Sequence, residues 1–220
     1  MTLRLNGSTS GYVEIDAPAT AGSNTLILPN GNGTNGQYLQ TNGSGALSWA
    51  TVSVGLLQTQ QTVLTATNSF STSSSGAWYD IPSLTVSVTT TAANSKIIVN
   101  AFVFGEHTDN EADKSFKIVR TIGGTSVNLG APAAGSRPAV WSTMTTGWNG
   151  AENAATPSGT PLNNYLDSPA QTSGTSITYK VQVWSKNVGS TFFLNRCVAD
   201  DDNTLNERGW SYINLMEVAV

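Results

Sequence analysis

Five Asn-Gly pairs, at residues 6, 30, 32, 35 and 42, fall within the first fifty residues and constrain more than any other feature what this chain can fold into. Asn-Gly is the preferred occupant of the tightest β-turns, because both residues reach positive φ at little steric cost. Between the pairs lie very short apolar pieces, LRL, YVEI, TLIL, YLQ and ALSW, separated by NGSTSG, DAPATAGSN, PNGNGTNG and TNGSG. The segment is predicted to zigzag as short strands. Pieces of three or four residues cannot enclose a core of their own, and domains of this size are marginal even with better patterning. The segment is therefore expected to borrow a core from neighbouring chains.

From residue 56 the apolar runs lengthen. LLQTQQTVLTAT at 56–67 carries enough β-branched residues to favour a strand over a short helix. LTVSV at 84–88 alternates with period two, and KIIVNAFVF, SFKIVRTI, ITYKVQVW, TFFLN and WSYINLMEVAV read as further strands. In ITYKVQVW, Ile177, Tyr179, Val181 and Val183 share one face and Thr178, Lys180 and Gln182 the other, with Trp184 breaking the order. The fold class that follows is all-β: a short N-terminal β-hairpin arm or shaft over 1–55, then a jelly-roll-like β-sandwich head over 56–220. Residues 130–170 are rich in turn formers and too long for a plain connection, so they are expected to form a long loop of the functional or disordered kind.

Composition narrows the function. Charged residues make up only 11% of the chain, and Thr, Ser, Asn and Gly together supply 95 of the 220 residues, so small neutral groups cover the surface. Ten scattered Lys and Arg against fourteen Asp and Glu give a net charge of −4, which argues against nucleic acid as a partner. No window approaches the run of about twenty apolar residues that spans a membrane, and the N-terminus lacks the basic start and apolar stretch of a secretory signal. No membrane insertion is expected, and synthesis is expected in the cytoplasm. A single cysteine, Cys197, excludes an internal disulfide and a multi-cysteine zinc site.

Catalytic chemistry finds little to work with. His107 is the only histidine and sits in GEHTDNEAD, where a solvated loop residue is the ordinary reading. Cys197 reads as a small packing residue on a strand. The chain is expected to be non-enzymatic and to need no cofactor. Asp109, Glu111 and Asp113 alternate like the start of a calcium loop, but Lys114 and Arg120 stand where that loop needs glycine and glutamate. Asp200, Asp201 and Asp202 form the remaining weak metal candidate, set against a solvated acidic loop. Trp141, Trp148 and Tyr165 all lie in the 130–170 region and are the candidates for contact with a receptor or a neighbouring subunit.

The stretch GSTSGYVEIDAPATAGSNTLILPNGNGTNGQYLQTNGSGALSWATV resembles a unit found in tail-fibre and other virion proteins of bacteriophages, especially marine and cyanobacterial phages. The resemblance covers about a fifth of the chain. The C-terminal part, with YLDSPAQTSGTSITYKVQVWS, FFLNR and SYINLMEVAV, also resembles a domain that ends many such proteins, and more loosely the trimeric jelly-roll heads of the tumour-necrosis-factor and complement type. It implies a virion structural protein that assembles as a homotrimer. Its N-terminal arm would join other virion proteins and its head would touch a host-surface glycan or protein. In that trimer Leu3, Leu5, Tyr12, Ile15, Leu26, Leu28, Leu39 and Trp49 form the core of the arm. The alternative implied role is a capsid decoration, a head-fibre or cement protein. A glycan-degrading spike would need a pair of carboxylates across a groove, which no spacing here indicates.

Overall fold

The computed structural model describes residues 3–20, 22–51, 55–108, 114–132, 134–144, 157–204 and 206–220. The chain divides into two compact units, Met1–Ser53 and Val54–Val220. Among the described residues every regular element is a β-strand.

The N-terminal unit holds two antiparallel hairpins. In the first, β1 (Leu3–Asn6) pairs with β2 (Tyr12–Ile15), setting Leu3 opposite Ile15 and Leu5 opposite Val13. In the second, β3 (Gln37–Thr41) pairs with β4 (Leu47–Thr51), setting Leu39 opposite Trp49. The predicted strand at TLIL is reduced to a single bridge between Ile27 and Ala46, with Pro29 closing the run just beyond. Asn-Gly geometry also departs from expectation. Gly36 and Gly43 take positive φ, but Gly7, Gly31 and Gly33 do not. Gly33 answers a different need, because a Cβ there would lie 2.6 Å from the indole of Trp49. The indole nitrogen in turn donates to the Gly31 carbonyl at 2.8 Å.

The larger unit is a β-sandwich. Its strands are β5 (Leu56–Leu64), β6 (Asn68–Ser71), β7 (Ala77–Thr89), β8 (Lys96–His107), β9 (Ser115–Ile122), β10 (Thr125–Leu129), β11 (Ser142–Thr143), β12 (Ser158–Asp167), β13 (Ser176–Ser185), β14 (Thr191–Leu194) and β15 (Ser211–Val218). One sheet runs β10-β9-β13-β7, with β11 continuing the β9 edge beyond β10. In the other, β8 is flanked by β12 on one side and by β15 and β14 end to end on the other, with β5 and β6 outside these. The pairs β5 with β15, β7 with β13, β8 with β12 and β9 with β10 nest one inside the next, which is the wrapping of a jelly roll.

Alternation explains the core. Along β13, Ile177, Tyr179, Val181 and Val183 are fully buried against Val99, Ala101 and Val103 of β8 and Ile213 and Leu215 of β15 in one cluster. Trp184 keeps this alternation, since Ser185 takes the inward position and the indole stays on the outer face. Residues 130–170 correct the sequence reading, because ten of them form β12. Gly159, Pro161, Asn163 and Asn164 are turn formers by type, yet an outer strand tolerates proline, and the register shift between Leu162 and Tyr165 absorbs Asn164 at φ 67°. His107 is corrected too. It ends β8, lies opposite Phe192 of β14 and is 2% exposed, because β8 continues past the apolar run that marks it in sequence.

Three polar groups tie the sandwich together. Asp167 of β12 accepts from Arg120 of β9 at 2.6 Å and from the Tyr179 hydroxyl of β13 at 2.8 Å, joining the two sheets. Burial and then the Asp167 charge push the Tyr179 phenol far above its ordinary range. Asn195 holds φ 63° and is fully buried. Its amide donates to the Leu64 and Ala66 carbonyls and its oxygen accepts from Ser211, fixing the β5–β6 link beside the β14–β15 link. Glu217, also fully buried, accepts from Gln58, Thr91, Ala92 and Ser95.

Candidate functional site

The arm presents apolar side chains that its own unit does not cover. Leu3, Leu5, Tyr12, Ile15, Leu26, Leu28, Leu39 and Trp49 are all exposed, from 38% at Trp49 to 68% at Leu26. Hairpin pairing sorts them into faces. Leu3, Leu5, Val13 and Ile15 form one face of the first hairpin; Tyr12 falls on the other, beneath the Arg4 guanidinium, which also contacts Glu14. Val13 therefore belongs with the apolar set although the sequence reading omits it, and strand alternation from Ile15 is the signal that finds it. On the second hairpin Leu39, Leu47 and Trp49 share a face. Ile27, Leu26 and Leu28 are exposed around their single bridge.

In the head, the aromatics expected to make contacts are engaged internally. Trp141 meets Tyr165 edge to face, with centroids 5.0 Å apart, and both pack against the core cluster. The Trp141 backbone donates to the Phe116 carbonyl at 2.7 Å, holding it against β9. Trp148 lies outside the described residues, as do Asp109, Glu111 and Asp113. The acidic run at 200–202 is compensated from within. Arg208 reaches Asp200 through two hydrogen bonds, Arg196 approaches it at 3.7 Å, and Asp201 receives the Asn206 amide. Among the described residues no three His, Cys, Asp or Glu side chains are placed to share a cation. Cys197 is buried just beyond β14. Its thiol contacts the Glu207 carbonyl at 3.3 Å, and burial pushes the thiol up from its ordinary range.

The two outer faces of the sandwich differ in kind. The β10-β9-β13-β7 face is polar and charged. Lys180 pairs with Asp80 at 2.8 Å, Gln182 donates to the same carboxylate, and the Lys117 ammonium sits 4.1 Å from the Trp78 ring centre. Desolvation, with the nearby Lys180 charge, holds Lys117 below its ordinary range. Ser and Thr pairs such as Ser87 with Thr178 fill the rest.

The β12-β8-β15-β5 face carries rows that run straight across the strands. One row is Val63, Tyr212, Phe102 and Pro161, with Tyr212 stacked on Phe102 at 6.0 Å and 17°. Trp210 and Phe104 lie above it, Trp210 5.3 Å from Tyr212. The next row is all amide: Gln61, Asn214, Asn100 and the Asn163-Asn164 bulge, where the Asn100 side chain accepts from the Asn164 backbone at 2.8 Å. Below comes Thr59, Met216, Ile98 and Leu166. Two glycines let the aromatics lie flat. A Cβ on Gly159 would stand 2.4 Å from the Phe102 ring, and one on Gly209 the same distance from Phe104. A depression along the amide row is lined by Gln61, Asn100, Asn163, Asn164, Asn214 and Trp210. Alternation along KIIVNAFVF and SYINLMEV makes this pattern readable in sequence, since the residues between the core positions are Ile, Asn, Phe, Phe and Tyr, Asn, Met.

No helix among the described residues is long and apolar enough to cross a membrane. No family model matches the sequence, and no curated protein matches it. Solved structures give weak likenesses. One is the structure of infectious bursal disease virus strain Gx, with 10% identity and a TM-score of 0.34 over 98% of this chain and 45% of that one. Strain Gt gives 12% identity and 0.35 over 98% and 46%. The VP2 subviral particle of the same virus gives 10% and 0.35 over 79% and 44%. The chain thus spans less than half the length of these structures, and likenesses of this degree assign neither family nor function.

Proposed function

We propose that this chain is a non-enzymatic structural protein of a bacteriophage virion, a tail-fibre-like homotrimer whose N-terminal arm joins other virion proteins and whose head touches the host surface. The observation that carries the reading is the arm. Six of the eight large apolar side chains stand exposed on hairpins of four or five residues per strand, with Leu26 and Leu28 beside a single bridge, and such hairpins are marginal in water unless something packs on them. Three copies wound about one axis would cover the face of Leu3, Leu5 and Ile15 and the face of Leu39 and Trp49, which a single chain leaves open. A buried His107 and a buried, poorly ionised Cys197 fit a head that binds and does no chemistry. Three heads on one particle-bound trimer also raise weak host contacts by avidity.

Gold-labelled antibody against the 54–220 unit, imaged on particles of the encoding phage, tests the reading. Label on the tail or its fibres is the expected result. Label spread over the capsid would transfer the chain to the decoration role, and no label on any particle would remove it from the virion. Deleting residues 1–53 is expected to leave a folded head that no longer joins the particle; a truncated chain that still incorporates would refute the role of the arm.

A further inference from the structure

We propose that the loop at residues 30–36 of the arm is a site of spontaneous covalent modification, where Asn30, Asn32 and Asn35 convert to aspartyl and isoaspartyl residues while Asn6 and Asn42 are held back by their turns. The reaction needs only water. The main-chain nitrogen of the following glycine, after giving its proton to hydroxide, attacks Asn Cγ. The bond from Cγ to the side-chain nitrogen breaks, ammonia leaves, and a succinimide ring closes. Water then opens the ring at Cγ, which restores the normal backbone as aspartate, or at the backbone carbonyl, which routes the chain through Cγ as isoaspartate. Glycine permits the attack because no Cβ obstructs the nitrogen and the backbone turns freely to bring it in. None of this depends on the virion reading.

Each Asn-Gly pair of the arm offers the same reacting atoms in sequence, and the fold separates them. Gly43 N donates to Thr41 Oγ1 at 3.1 Å, and the Asn42 side-chain oxygen accepts from the backbone of Ser44 at 2.8 Å and of Ala46 at 3.2 Å. Nucleophile and electrophile are both tied, and those bonds must break before the two atoms meet. In the first hairpin Gly7 N donates to the Gly11 carbonyl at 2.9 Å, and Asn6 is paired with Tyr12. The 30–36 loop is different. Asn30, Asn32 and Asn35 are exposed, and among the described residues neither their side chains nor the nitrogens of Gly31, Gly33 and Gly36 make a hydrogen bond. The turn at 34–37 closes through Gln37 N on the Thr34 carbonyl and Thr34 N on the Gln37 side chain, with Asn35 and Gly36 at its centre. A further pair, Asn149-Gly150, lies outside the described residues.

Asn32 stands where the change matters most. The Gly31 carbonyl accepts from Trp49 Nε1 at 2.8 Å, and Gly33 lies against the same indole with no room for a Cβ. Isoaspartate at 32 adds a carbon to the main chain between the two points that hold the ring, so one contact must give way. The arm carries Arg4, Glu14 and Asp16, so three new carboxylates also move its side-chain charge from −1 to −4.

The test holds the full chain in mildly alkaline buffer, digests samples taken over weeks, and reads by mass spectrometry the gain at each Asn as an amide becomes a carboxyl. Fragmentation of the peptides separates isoaspartate from aspartate. Asn30, Asn32 and Asn35 are expected to convert about tenfold or more faster than Asn42, the ratio set by three hydrogen bonds of ordinary net strength, and about threefold or more faster than Asn6, held by one. In urea the five rates are expected to merge. A loop that does not convert, or converts no faster than Asn42 in the folded chain, would overturn the site. An order of rates that persists in urea would overturn the part played by the fold. The Trp49 indole N–H resonance is expected to move in proportion to isoaspartate at 32, whereas fresh Asn32→Asp, which adds the charge without the main-chain carbon, should leave it in place. A resonance unmoved by isoaspartate, or moved equally by Asn32→Asp, would overturn the link to Trp49.

Discussion

Replacing Glu217 by Gln should cost the head far more than its size suggests. The carboxylate lies at the end of β15, fully buried, and every neighbour donates to it: Gln58 Nε2 at 2.5 Å, Thr91 N at 2.9 Å, Thr91 Oγ1 at 3.0 Å, Ala92 N at 3.3 Å and Ser95 Oγ at 2.6 Å. Burial works against the charged form, but the bonds from Ser95, Gln58, Thr91 and Ala92 outweigh it and hold the group below the usual carboxylate range. An amide presents two N–H groups where only acceptors fit. The hydroxyls can turn to accept and Gln58 can flip to present its oxygen, but the flip gives up the Thr89 carbonyl that its amide also donates to and the backbone amides cannot turn, so one buried group loses its partner at about 1–3 kcal/mol. The sign of the pH effect follows from the depressed folded value. Stability from Glu217 is complete above the unfolded carboxylate value of about 4.3 and is lost as pH falls through the lower folded one. Urea unfolding of both chains at equal protomer concentration should show the full difference at pH 7 and a shrinking one in acid. A variant within about 0.5 kcal/mol of the original at pH 7, or a gap that stays constant into acid, would refute the reasoning.

Other perturbations separate the remaining features. Gly33→Ala should push Trp49 off the Gly31 carbonyl and speed amide exchange over 37–51 while exchange in the head stays unchanged, a loss of about 1–3 kcal/mol confined to the arm. Asp167→Asn strands a largely buried Arg120 charge and should destabilise the head by about 3–5 kcal/mol in urea, whereas Tyr179→Phe, losing one hydrogen bond to the same carboxylate, should cost about half of that or less. Cys197 should react with a thiol reagent only at the rate at which the head opens, so labelling should track denaturant and not reagent concentration.

Strand identity in the head was legible where one face is buried. ITYKVQVW and SYINLMEV announce themselves by period two, and both lie as the alternation requires. β12 was not legible, because as an outer strand it accommodates a proline and its bulge hides the alternation; nothing local marks SGTPLNNYLD as paired with eight residues of β8. The burial of His107 was hidden for a related reason, since it depends on β14 more than eighty residues away. Trp141 and Tyr165 stand in a turn-rich segment, where the sequence leaves open whether they are presented to a partner or packed on their own domain, and only the fold shows that their rings face each other. The amide row could be read in pieces from β8 and β15, but its continuation into Gln61 and Asn163 needs the register across four strands.

The position of β15 has a consequence for how such a chain is made. This strand lies between β5 and β8, so each of its two partners is synthesised more than a hundred residues before it. Until residues 211–218 leave the ribosome, β5 has no neighbour in its sheet and β8 is open along Lys96–Phe102 of one edge. Closure of the head is thus a late event that joins distant parts of the chain, the kind of pairing that folds slowly. The same arrangement acts as a check on length. A chain cut short before Ser211 would lack Tyr212 and Asn214, the links that join the aromatic and amide rows across the sheet, and would leave β5 without a partner.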